Sequence, residues 1–189
     1  MVTARKIEVG GPSTPIQSGE RAHARLEIEL MADTSAGVLL YKITDGELRV
    51  LLAHPGGPFW RNRNEGAWTI PKGLVQSGEA PDAAARREFA EELGCEAAGE
   101  LRSLGEVRQR GGKRVVAFAL EGEFDPGQLR SNEFAIEWPP KSGRTVSFPE
   151  IDRAAWFPLS QAREKILASQ APLLDRLEEA LAGRAEPPA

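Results

Sequence analysis

The run from Gly73 to Cys95, GLVQSGEAPDAAARREFAEELGC, constrains this chain more than any other stretch. From Ala80 to Leu93 it has no β-branched residue and five alanines, and Pro81 stands where a helix's first turn tolerates a missing N–H. This predicts a helix ending at Gly94, the residue type that most readily takes the left-handed closing conformation. At 100° per residue, Ala85, Phe89 and Leu93 form one apolar stripe, and Glu88, Glu91 and Glu92 fall within about 100° of arc beside it.

Three carboxylates on one patch repel one another by a few tenths of a kcal/mol per pair, and by more where water is partly excluded. Positive charge is expected there. Arg86 and Arg87 are candidates within the helix. A hard divalent cation is a stronger one, and an all-oxygen set with room for water suits Mg²⁺ or Mn²⁺ rather than Zn²⁺. On its own, such a helix reads as a solvated face.

The first half of the stretch changes that balance. Gly73, five residues, Glu79, seven residues, Arg87-Glu88-Phe89, one residue, Glu91-Glu92, one residue and Gly94-Cys95 together resemble the Nudix box at every fixed position. With each fixed type near ~6 to 7% usage, seven such positions recur by chance on the order of once in a million chains of this length. The resemblance implies an α/β fold, an α/β/α sandwich with a mixed central sheet and a catalytic loop-helix-loop. It also implies metal-dependent hydrolysis of a diphosphate linked to another group. Carried onto this chain, Glu88, Glu91 and Glu92 are the principal metal carboxylates. The Gly73 carbonyl is a further ligand, and Arg87 pairs with Glu79 to hold loop and helix in register.

Composition bounds the rest. At 189 residues, 41% hydrophobic and 28% charged, the chain suits one globular domain, expected over residues 32–183 between tails at 1–31 and 184–189. A net charge of −4 gives no broad electropositive field, so nucleic acid is not expected as the main partner. No run nears 18 apolar residues and no signal-peptide pattern opens the chain, so a cytoplasmic protein without membrane contact is expected, as monomer or homodimer. The single cysteine, Cys95, fits a reducing compartment and reads as a small core residue.

Along the chain, Arg25–Met31 alternates as a strand, either an extra one for this fold or an appendage. SAGVLLY (35–41) and LRVLLAH (48–54) flank Asp45-Gly46, a hairpin signal. His54, at the strand end, reads as structural or as a supporting or substrate contact. The loop Pro55–Gly66 carries Trp60, Arg61 and Arg63, either a surface plug or a substrate rim where an aromatic stacks on a base and Arg meets phosphate. Ala67–Pro71 reads as a short strand entering the box. Lys72 follows, placed to reach metal-bound phosphates, and IPKG resembles the box entry of Nudix enzymes acting on diadenosine or diphosphoinositol polyphosphates.

Beyond the box, Leu101–Gln109 and Lys113–Leu120 pair across Gly111-Gly112, with Arg108, Arg110, Lys113 and Arg114 at the tip as solvated or phosphate-contacting charge. FAIEW (134–138) is a strand and 139–144 a basic loop. Glu150 sits where many Nudix enzymes carry an acid outside the box, as ligand or base; the alternative is a pair with Arg153. Ser160 is the expected cap of the final helical region. The function expected is Mg²⁺-dependent pyrophosphohydrolysis, with dinucleoside polyphosphates or nucleoside triphosphates ahead of ADP-ribose and other conjugates. The base is Glu91, Glu92 or Glu150. A catalytically silent nucleotide-binding module is the alternative, which loss of these carboxylates would favour, and none is lost.

Overall fold

The computed structural model describes residues 34–109 and 111–183; the strand expected at Arg25–Met31 and the two tails lie outside them. β1 (Thr34–Thr44) and β2 (Glu47–Pro55) pair antiparallel through Asp45 and Gly46, both at positive φ as a tight two-residue hairpin turn requires. β3 (Lys72–Leu74) runs antiparallel to the start of β1. The helix α1 (Pro81–Leu93) follows, then β4 (Arg102–Arg108) and β5 (Arg114–Glu121), with β5 parallel to β1. β6 (Glu133–Glu137) and β7 (Thr145–Pro149) form a separate two-stranded ribbon. β8 (Ile151–Pro158) closes the sheet against β2, and α2 (Leu159–Lys165) and α3 (Pro172–Ala182) end the described chain. The order β4-β5-β1-β2-β8, with β3 also on β1, is the expected mixed sheet.

Alternation along the strands makes two cores. Ala36, Val38 and Leu40 of β1 face Ala84, Ala85, Phe89 and Leu93 of α1. Leu39 and Tyr41 face the other way, onto Ala162, Ile166, Leu173, Leu174 and Leu177 of the C-terminal segment. Each fully buried Leu or Phe contributes about 1.5–3 kcal/mol, so α1 is fastened to the sheet by the stripe legible in its sequence.

Some local expectations are corrected. Ala67–Pro71 is not a regular strand: it makes single bridges, Ala53 to Thr69 and Trp68 to Ile166, and the ladder starts at Lys72 because Pro71 has no N–H to give. The basic loop expected at 139–144 is followed by a strand, β7, that was not expected. Ser160 does not cap α2; Pro158 occupies that position, and no side chain caps the helix. No helix of the described residues is long and apolar enough to cross a membrane.

Candidate active site

The loop before α1 and the helix itself are joined by one guanidinium. Arg87 donates from Nε to Glu79 Oε1 at 2.8 Å and from Nη2 to Glu79 Oε2 at 2.9 Å, and Nη2 also reaches the Leu74 carbonyl at 2.9 Å. Its Nη1 turns to the carboxylates, at 2.7 Å from Glu88 Oε1 and 3.5 Å from Glu91 Oε2. Glu79 also accepts from the Gln76 N–H at 2.9 Å. The Arg87 bonds, and then that N–H, hold the Glu79 carboxyl down at about 2, and the same bonds push the Arg87 guanidinium up. Arg86 was a candidate counter-charge for the acidic patch and is not one. It points the other way, donating to the Gly99 carbonyl at 2.7 Å and to that of Ala97.

The three helix acids are not equivalent. Glu92 lies on the side of the patch nearest Ala85, so it is buried with the apolar stripe, whereas Glu91 on the far side is exposed. Glu92 Oε2 accepts from the Lys72 N–H at 2.8 Å. Burial pushes its carboxyl up to about 7, against the pull of the Lys72 ammonium and N–H, with Glu88 and Glu150 pushing the same way as burial. Glu88 is seated against Gly73: a Cβ there would stand 1.9 Å from its Cδ and Oε2. Thus Gly73, Lys72, Glu79, Arg87, Glu88, Glu91, Glu92 and Glu150 come together. Among the described residues no three acidic, His or Cys side chains stand as placed at cation-binding spacing.

Lys72 leaves β3 on the face opposite Gly73. Burial lowers its ammonium pKa, Glu92 raises it, Lys113 lowers it further and Glu88 raises it. Gly37 makes that close approach possible, since a Cβ there would meet the Pro71 carbonyl at 2.4 Å and Lys72 Cβ at 2.5 Å. A glycine inside a strand signals such contact, but SAGVLLY did not say with what.

Glu150 is exposed, and its backbone is stitched to Asn132 and Gly56 at 2.8 Å each. Arg153, its alternative partner by sequence, turns to Asp152 Oδ1 at 3.3 Å. Trp60 and Arg63 line a cleft of about 560 Å³ with Gly66, Gln109, Leu167, Ala168 and Ser169. The Arg63 guanidinium lies 5.5 Å over the Trp60 ring. Arg61 is exposed and does not line that cleft. A cleft of about 500 Å³ between Gly94–Glu96 and Glu123–Arg130 contains none of the helix carboxylates. Cys95 is half-buried, and burial raises its thiol pKa, as for an unreactive packing residue.

The family model for the NUDIX domain matches residues 33–177, most of the chain and all of these residues. The chain belongs to the Nudix family. Its Nudix box spans β3, the Glu79 loop and α1, and departs from the family pattern at no fixed position. As a Nudix protein it is a hydrolase of phosphoric anhydride bonds, in a family that generally depends on divalent metal. No match is found among curated proteins.

Among solved structures the Nudix fold recurs. A Caenorhabditis elegans Ap4A hydrolase in a binary complex is 24% identical, covering 79% of this chain and 98% of its own, with a TM-score of 0.56. The NUDIX domain of Shewanella oneidensis NrtR, complexed with ADP ribose, is 18% identical over 78% and 87%, at 0.54. A mutT/nudix family protein from Listeria innocua is 18% identical over 80% and 94%, also at 0.54. At these identities the likeness is one of fold.

Proposed function

We propose that this Nudix protein is a Mg²⁺- or Mn²⁺-dependent pyrophosphohydrolase of nucleotide compounds, with dinucleoside polyphosphates or nucleoside triphosphates favoured. One observation carries this: Glu88 seated on Gly73 beside Glu92, anchored to the next residue back, with Arg87 tying Glu79 to Glu88. The donor set fits a hard cation. All its members are oxygens, and crowding of Glu88, Glu92 and Glu150 is a repulsion that divalent charge relieves. Glu88, Glu91, Glu92 and the Gly73 carbonyl would hold the metal. When bound, the metal neutralises diphosphate oxygens and acidifies water.

The protein's own part is orientation. Lys72 faces the phosphates, with Lys113 adding positive charge near it. Trp60 offers a ring and Arg63 a guanidinium in the cleft, and Arg61 adds positive charge to the loop outside it. Water attacks one phosphorus, the P–O–P bridge breaks, and the water's proton passes to Glu91, Glu92 or Glu150. The Ap4A hydrolase likeness and the IPKG entry support the dinucleoside class. The ADP-ribose complex of a similar domain supports ADP-ribose as the second reading.

The test is incubation of purified protein with a panel of diphosphate compounds, with and without Mg²⁺, identifying products by mass. Glu88→Gln and Glu92→Gln are expected to lose about 100-fold or more in kcat. Wild-type turnover in both variants removes the assignment, as does a panel left intact in Mg²⁺.

A further inference from the structure

His54 ends β2 fully buried, with each ring nitrogen 2.7 Å from an acceptor: Nδ1 from Asp152 Oδ1, Nε2 from the backbone carbonyl of Arg63. A carbonyl only accepts, so Nε2 carries a proton aimed at it. The ring stands edge-on to Trp68 at 5.2 Å, which fixes its plane. Asp152 is steadied by Arg153, whose guanidinium also lies 5.5 Å over Trp68.

What the imidazole holds is the middle of a loop. The loop's ends are tied elsewhere, Gly56 N–H to the Glu150 carbonyl at 2.8 Å and Gly66 N–H to that of Glu164 at 3.0 Å. Between them the Arg63 N–H closes a turn on the Trp60 carbonyl at 2.8 Å, and the Arg63 guanidinium stacks on Trp60. His54 therefore grips the Arg63 peptide of this Trp60–Arg63 turn, beside Asn64, which accepts from Trp68 Nε1 at 3.2 Å, and Trp60, which packs on the core. The opposite wall, Leu167–Ser169, is followed by the fully buried Gln170, which accepts from the Ile70 N–H at 3.0 Å and donates to Thr69 Oγ1 at 2.8 Å.

We propose that His54 is a positioning residue: through the Arg63 carbonyl it fixes the Trp60–Arg63 wall of the cleft and so sets substrate affinity. This rests on the cleft being where substrate binds. A packing role alone predicts lost stability in any variant and no selective change in KM.

Two substitutions separate the ring's two bonds. Asn puts its amide nitrogen where Nδ1 stands and keeps Asp152; Gln puts it near Nε2 and keeps the Arg63 carbonyl. His54→Asn is expected to raise KM about tenfold with kcat within about twofold, and to quicken amide exchange across residues 60–66. His54→Gln is expected to bring KM back to within about threefold of wild type and to restore that protection. Equal KM in both variants, or unchanged exchange in His54→Asn, overturns the proposal.

Should wild type hydrolyse no diphosphate, the substrate reading fails by itself while amide exchange still decides whether His54 holds the wall. Should neither variant fold, the unmodified protein decides. A slowly exchanging imidazole Nε2–H is expected in its ¹H–¹⁵N spectrum, and absence of that signal overturns the proposal.

Discussion

Replacing Gly73 by Ala isolates the contact on which the site is built. A Cβ at residue 73 would lie 1.9 Å from Glu88 Cδ, 1.9 Å from Oε2 and 2.3 Å from Oε1. Ordinary contact between such atoms is about 3.5 Å, so the carboxylate must retreat by about 1.5 Å. A misplacement of about 1 Å in reacting geometry costs about 100-fold. Gly73→Ala is therefore expected to lower kcat/KM by about 100-fold, close to 2.7 kcal/mol of transition-state stabilisation. Its melting temperature should fall by only a few degrees, because the obstructing group is the far end of a flexible side chain and Gly73 is not in the left-handed region. Gly78→Ala is the matched control: φ is +78° there and the space is open, so strain costs about 1 kcal/mol of stability while turnover stays near wild type. Steady-state kinetics in saturating Mg²⁺ with calorimetry on the three proteins completes the assay. A Gly73→Ala enzyme within threefold of wild type in kcat/KM refutes the reasoning.

Glu92 has a folded pKa raised from 4.5 to about 7, so the folded state binds the extra proton and stability falls as pH rises from 4.5 to 7. With chelator present this loss is on the order of 3 kcal/mol at most; Glu92→Gln should flatten the profile and melt higher than wild type at pH 8, and parallel profiles would contradict it. Glu79 has the opposite sign: its pKa lies at about 2, so its contribution is complete above 4.5 and is lost as pH falls toward 2. Arg87→Lys, which cannot form the paired bonds to Glu79, should weaken that acid transition and lower kcat about tenfold; an unchanged acid melt would count against the clamp. Gln170→Leu should cost about 1–3 kcal/mol by stranding the Ile70 N–H and leaving the Thr69 hydroxyl only its bond to the Ile70 carbonyl, read by urea unfolding; no change in midpoint would show the Ile70 N–H satisfied otherwise.

The helix, its acidic face and the Nudix box were legible because spacing alone fixes them, and both main hairpins because Asp45-Gly46 and Gly111-Gly112 are local signals. The helical wheel also held Glu92's burial, since that residue borders the stripe of Ala85, Phe89 and Leu93. Which way Arg86 turns was not legible, because the Ala97 and Gly99 carbonyls it reaches belong to a loop without periodicity. His54 and Gln170 were beyond pattern for the same kind of reason. Their partners, Asp152 and Arg63 for one and Thr69 and Ile70 for the other, come from distant or irregular segments that only tertiary packing brings near. β7 escaped because its five residues follow a basic loop and have no turn signal of their own.

Adjacent arginines on α1 reach in opposite directions, Arg87 back to Glu79 and Leu74, Arg86 forward to Ala97 and Gly99. The helix is consequently strapped to the segments on either side of it and travels with both as one cassette. Lengthening the ribbon of β6 and β7, which lies outside that cassette, should therefore leave the Arg87–Glu79 clamp in place.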